Sequence, residues 1–192
     1  MRTVTWTRME EGTKDDYAML NAASWEHTQG ELANNLLDML SKLRGPLLGY
    51  QVDRYEHSLQ SATRALRADE SIDLVVGALL HDVGDVFAPV NHSEAAAVIL
   101  APFVDESTEW IVRHHGVFQG YYYFHHHGGD RNARERYATS PHYDACVAFC
   151  AEYDQNCFDP AYDTLPVEEF EPMLREVFDR SPRIERVPTA VD

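Results

Sequence analysis

The stretch LLHDVGD, residues 79–85, decides how this chain is read. Val75, Val76, Leu79 and Leu80 recur three and four positions apart, the spacing of one buried helical face. The apolar run stops at His81 and Asp82, and Gly84 follows as a turn signal. Burying an imidazole and a carboxylate at the end of such a helix costs on the order of several kcal/mol unless something compensates both. A metal cation compensates both at once, so the pair points to metal ligation.

Outward from this stretch the chain reads as helices. Residues 16–43 carry Leu32, Leu36, Leu37, Leu40 and Leu43 at helical spacing, and Gly45-Pro46 breaks the pattern. Residues 53–68 form a second helix with Tyr55, Leu59, Ala62 and Leu66 as its stripe. Further helices are predicted over 71–82, 92–100, 105–115, 141–155 and 167–179, with Pro141 in the first turn of its helix. The aromatic-rich 116–129 and FDPAYDTLP (158–166) read as loops. Strand-like alternation is nearly absent, so the fold class is all-α, a helical bundle. The expected organisation is a polar arm over 1–15, one domain over 16–180 and a tail over 181–192.

A chain of 192 residues suits one domain that buries roughly 70% of its unfolded surface. Its net charge of −16 argues against nucleic acid or an anionic membrane as partner, because both need clustered Lys and Arg. A locally basic pocket for a small anion remains compatible with that charge. Cys146, Cys150 and Cys157 have no framework spacing, so they read as buried small hydrophobes in a reducing compartment rather than as disulfides or zinc ligands. The N-terminal stretch MRTVTWTRMEEGT lacks the apolar centre of a signal peptide, and no apolar run approaches the roughly 20 residues of a membrane span. The expected location is cytoplasmic and the expected partner a small molecule; the oligomeric state stays open.

The candidate metal ligands are His57, His81, Asp82, His92, His115 and Asp154. Except for the 81–82 pair, each comes from a different helix or helix end, which is how bundles build internal metal sites. Carboxylates beside histidines suit iron, manganese or zinc. Asp82 has two oxygens and can bridge two ions. Taken singly, His57 also reads as a satisfied buried histidine, and His92, after Asn91, as part of a helix cap. His114 and His115 point about 100° apart on a helix, so only one can serve.

In their order, His57, His81-Asp82 and Asp154 resemble the H…HD…D pattern of the HD-domain superfamily, a five-helix core known for metal-dependent phosphohydrolases. HDVGD is similar to that family's HDxGx motif. The resemblance covers roughly residues 50–178. It implies that His92 and His115 complete the six-ligand set of binuclear members, and it selects His115 over His114 and Asp154 over Asp159 or Asp163. RYEHSLQSA around His57, SPHYDACVAFCAEYDQ around Asp154 and FEPML resemble the corresponding segments of a smaller branch, the mixed-valent diiron oxygenases. That branch includes myo-inositol oxygenase and the enzymes that cleave organophosphonates. It implies two iron ions, Fe(II)/Fe(III), with O2 and a small hydroxylated substrate. The alternative is a phosphohydrolase that acts on a nucleotide or phosphoester with manganese or other divalent metals.

The chain departs from the phosphonate-cleaving pattern where the anion clamp would be. Gln119 stands at the position of a lysine, Ala151 at that of an arginine, and Leu47 and Tyr50 at those of the gating tyrosine and glutamate. The substrate-binding candidates are therefore Tyr50, Asp85, Gln119, Tyr122 and Arg131. Tyr121, Tyr122 and Tyr123 cannot all face one way, and their faces with Asp85 would suit a cation. Arg131, Arg134 and Arg136 would instead suit a carboxylate or phosphate. The run His125–His127 is a weaker metal candidate, since adjacent loop residues seldom converge.

Overall fold

A computed structural model describes residues 2–183; the part of the expected C-terminal tail from residue 184 onward lies outside the described residues. Helix α1 (Lys14–Ser41) starts at a capping box in which Thr13 and Asp16 satisfy each other's backbone N–H groups. The polar arm folds back on this start: Arg2 pairs with Asp16, and Trp6 packs against Tyr17. Asp53 caps α2 (Arg54–Arg67), Ser71 caps α3 (Ile72–Leu80), and Asp105 caps α5 (Glu106–Tyr123), each side chain accepting from the backbone three residues on. Helix α4 (His92–Leu100) lies between the last two, α6 (Tyr143–Phe149) follows a long connection, and α7 (Val167–Phe178) closes the bundle. Among the described residues there is no strand, as the missing alternation predicted.

One core runs through the bundle. Helix α3 is its centre, with Val75, Val76, Ala78, Leu79 and Leu80 fully buried. Leu59, Ala62 and Ala65 of α2 pack on one side and Ala97, Leu100, Ile111 and Val112 of α4 and α5 on the other. Phe170, Leu174, Val177 and Phe178 of α7 close the side shared with α1. The three cysteines are free and buried in this interior, which agrees with their reading as small hydrophobes. No helix among the described residues is long and apolar enough to cross a membrane.

Three local expectations are corrected. Helix α5 does not end at His115 but runs to Tyr123, through Gly116 and Gly120. The aromatic-rich stretch reads as a loop, yet a Cβ at Gly116 would lie 3.0 Å from the Ser93 hydroxyl, where the helix packs tightly on α4. The predicted helix 141–155 is shorter: α6 begins at Tyr143, leaving Pro141 outside it, and after Phe149 the chain widens into a π turn over Cys150–Asp154. Its marker is the Gln155 N–H donating to the Cys150 carbonyl at 3.0 Å, five residues back. Helix α3 stops at Leu80, two residues short of the predicted boundary at 82, so His81 and Asp82 follow directly on its last turn.

Candidate metal centre

The end of α3 delivers His81 and Asp82 into the middle of the bundle, 1% and 4% exposed. A short 3-10 turn, Val83–Val86, follows. Gly84 is needed there: a Cβ at this position would lie 2.2 Å from the backbone oxygen of His92. The glycine thus lets the start of α4 press against the turn, and His92, the first residue of α4, points its ring inward. Asn91 makes no side-chain cap, so the capping reading of this pair does not hold. His57 comes from α2 and His115 from α5. The extra residue of the π turn rotates Asp154 into the interior, where it is fully buried.

The six side chains converge around Asp82, and its two oxygens face different partners. Oδ1 lies 3.3 Å from His92 Nε2 and 3.4 Å from His115 Nε2. Oδ2 lies 3.8 Å from His57 Nε2 and 3.7 Å from His81 Nε2. Asp154 Oδ1 joins the second group, 3.3 Å from His57 Nε2 and 3.9 Å from His81 Nε2. Within the pairs, the His57 and His81 Nε2 atoms are 3.1 Å apart and those of His92 and His115 are 3.3 Å apart.

The tautomers follow from the other ring nitrogens. His57, His81 and His115 each donate Nδ1–H to a backbone carbonyl: Cys157 at 3.0 Å, Ala78 at 2.7 Å and Val112 at 2.7 Å. That leaves the Nε2 lone pairs aimed at one another, which neutral imidazoles do not tolerate without positive charge between them. Burial pushes His81 down to about 4, so its lone pair is free at neutral pH. Burial would lower His57 and His115 too, but the hydrogen bonds and charges of Asp154 and Asp82 outweigh it and raise both. Burial would in turn raise Asp82 and Asp154, yet the surrounding histidines hold both carboxyls below their ordinary value. The cluster selects positive charge at its centre.

A divalent cation fits that demand. With metal–nitrogen bonds of about 2.1 Å and angles between about 90° and 109°, ligand atoms lie roughly 3.0–3.4 Å apart, the range of the shortest separations here. Asp154 Oδ2 is buried and has no hydrogen-bond donor, as a carboxylate oxygen reserved for a metal would be. His57, His81 and Asp154, and His81, Asp82 and His115, each place their ligand atoms within 4.8 Å of one another. His114 instead stacks on Trp110 with ring centres 4.0 Å apart and donates to its carbonyl, away from the cluster.

A cavity of about 360 Å³ opens onto the cluster, reaching His57, Asp82 and His92. Of the substrate-binding candidates, it brings together Tyr50, Gln119 and Tyr122. Gln119 donates to Asp154 Oδ1 at 2.5 Å, so it orients a ligand as well as lining the wall. Asp85 does not line the cavity. It faces His92, with Oδ1 3.4 Å from Nδ1, and forms an ion pair with Arg54, which leaves it occupied rather than open to a substrate cation. Arg131 is also elsewhere, because its guanidinium lies over the Tyr121 ring, 4.2 Å from the centre, with Arg134 beside it at 3.9 Å. Of the histidine run, His127 reaches the cavity, while His125 and His126 are exposed, their rings 4.0 Å apart and tilted by 40°.

Two residues that the sequence reading did not single out complete the site. Arg54 donates to Asp82 Oδ2 at 2.9 Å, pairs with Asp85 and lines the cavity. It stands three residues before His57 on α2, a spacing that puts both on one face and could have revealed it. Phe158 stacks on His57 with centres 4.5 Å apart and shields that ligand.

The family model of the HD domain matches residues 54–154, more than half of the chain and a span that holds all six clustered residues. The chain belongs to the HD domain family. A search of curated proteins finds no match. HD domains are in general metal-dependent enzymes, and the family together with the His/Asp groups implies that this one binds divalent metal.

Proposed function

We propose that this HD domain is a binuclear metal enzyme, and that it is an oxygenase working with two iron ions and O2 on a small hydroxylated substrate. The observation that carries the binuclear reading is Asp82, with one oxygen toward His57 and His81 and the other toward His92 and His115. His57, His81 and Asp154 would hold one ion, His92 and His115 the other, with Asp82 shared. The oxygenase reading is supported by the resemblance of the segments around His57 and Asp154 to the diiron branch.

When bound, a mixed-valent iron pair supplies O2 activation and one-electron chemistry. The chain's own residues prepare the site for it. Arg54 holds Asp82 in its bridging orientation and offsets the charge of Asp82 and Asp85. Asp85 places a carboxylate beside His92 Nδ1, and Gln119 fixes Asp154 by donating to its Oδ1. Phe158 covers a face of His57, and Tyr50 stacks on Phe158 in turn. Burial raises the phenols of Tyr122 and Tyr123, so both line the cavity as neutral donors.

A phosphohydrolase is the second reading, favoured by the Arg54 guanidinium on the cavity wall, where a phosphoester oxygen would meet it. Protein expressed in iron-rich medium distinguishes the two. The oxygenase reading expects two irons per chain, a mixed-valent EPR signal after partial oxidation, and O2 uptake with a hydroxylated substrate. Zinc or manganese in their place, no such signal, and phosphoester hydrolysis would establish the second reading.

A further inference from the structure

The cavity has an apolar lip that a polyol or simple phosphate does not need. Leu47, Leu48, Tyr50 and Tyr123 line it and are 51%, 76%, 59% and 41% exposed, among the most exposed large hydrophobics of the described residues. From Tyr50 a stack runs inward: Tyr50 lies on Phe158 with ring centres 5.0 Å apart and planes 22° apart, and Phe158 lies on the metal-ligand candidate His57 at 4.5 Å and 20°. One continuous apolar wall therefore leads from solvent to the cluster.

The backbone of the lip carries a second sign. Residues 47–50 form a tight turn, with the Tyr50 N–H donating to the Leu47 carbonyl at 2.9 Å. Leu48 and Gly49 occupy its two central positions at φ 50° and 97°. Two consecutive positive φ values make a type I′-like turn, whose first central position ordinarily takes Asn, Asp or Gly. A leucine there is strained by its Cβ and exposes an apolar side chain at the same time. A turn needed only for chain reversal would relieve both costs with asparagine or glycine.

We infer that this pocket takes an amphipathic substrate, whose polar group reaches the cluster while an alkyl or aryl group lies along the Tyr50–Phe158 wall beneath Leu48. The inference rests on the proposed metal-dependent function and adds the chemical class of its substrate. A volume of about 360 Å³ lies near the lower end of ligand pockets, roughly 300–1,000 Å³, and so sets a compact tail.

Straight-chain 2-hydroxy acids from lactate to 2-hydroxydecanoate serve as probes, titrated calorimetrically into Zn(II)-loaded protein whose metal content is counted in the same sample. Affinity is expected to rise up to about fourfold per methylene over the first several carbons and then to level off as the cavity fills. Leu48→Asn is expected to flatten that rise at least threefold for the longer acids while leaving the melting temperature unchanged or higher. Affinity that does not depend on chain length, in protein shown to hold two metals, overturns the amphipathic assignment and leaves the metal centre standing. A chain-length rise that persists in protein unable to hold metal supports the apolar wall and removes the proposed metal function instead. A Leu48→Asn protein that melts lower and keeps the full rise shows a structural leucine and also overturns the assignment.

Discussion

Asp85 Oδ1 lies 3.4 Å from His92 Nδ1, so the least enclosed histidine of the cluster faces a carboxylate where His57, His81 and His115 donate to backbone carbonyls. The side chain of His92 is 23% exposed, against 1–3% for His57, His81 and His115. The two halves of the centre are thus unequal. One has His57, His81, Asp154 and one oxygen of Asp82; the other has only His92, His115 and the second oxygen.

Asp85→Asn tests that inequality. Asparagine keeps the shape but loses the charge that faces His92 Nδ1 and pairs with Arg54. Losing such a partner typically costs about 10- to 100-fold in metal affinity. One equivalent of metal is expected to bind as in the wild type and the second 10- to 100-fold more weakly, read by titration with Zn(II) or Mn(II). Two equivalents at unchanged affinity would show that Asp85 does not support the second position.

Asp82→Ala removes the one residue that both halves share. It is expected to lower the retained metal from two per chain to none after dialysis, measured by elemental analysis. His92→Ala should keep one. An Asp82→Ala protein that still holds two ions contradicts the bridging role. Circular dichroism checks that the α3 end stays folded, since Arg54 loses one of its two carboxylate partners in this variant.

Much of this centre was legible because its parts obey local rules. The 3–4 spacing of Val75, Val76, Leu79 and Leu80 marked α3 as buried, and a buried His-Asp pair after it demanded compensation. Nothing local announced that α5 would continue past Gly116 and Gly120, because packing against α4 and the loop after Tyr123 overrides their weak helix propensity. The π turn at Cys150–Asp154 was equally hidden; Asp154 itself was picked out only by the resemblance of its flanking segment. Arg131 was misplaced for a related reason. Tertiary contact with Tyr121 decides where that guanidinium goes, and a sequence does not display ring faces.

Stability should fall in alkali, and the sign follows from one buried thiol and one part-buried phenol. Burial pushes the Cys157 thiol up to about 12 from an ordinary 9.0, and burial with the Glu70 hydrogen bond pushes the Tyr153 phenol up to about 12 from 10.0. A raised pKa means that the folded state holds its proton longer than the unfolded chain. The stabilisation is complete below the unfolded value and is lost as pH rises through the folded one. The urea midpoint is therefore expected to decline from about pH 9 upward, more steeply once Tyr153 joins above pH 10. Cys157→Ala, compared in the same metal state, should flatten the first part of that decline. A midpoint independent of pH between 9 and 11 would contradict it.

Gly84→Ala probes how the turn after the His-Asp pair sets His92. The added methyl would meet the His92 backbone oxygen at 2.2 Å and its Cα at 2.8 Å, and backbone cannot swing aside as a side-chain tip can. Either the 83–86 turn or the start of α4 must move. His92 is the first residue of α4 and reaches Asp82 only through that placement, so a shift of the helix start moves Nε2 off its 3.3 Å approach to Oδ1. Overpacking of this kind costs typically about 1–3 kcal/mol. The variant is expected to melt several degrees lower and to lose the second metal, while His57, His81 and Asp154 keep the first. Gly84→Ser should behave alike, because the clash is at Cβ. A Gly84→Ala protein with wild-type melting temperature and two metals per chain would mean that α4 can retreat without disturbing His92.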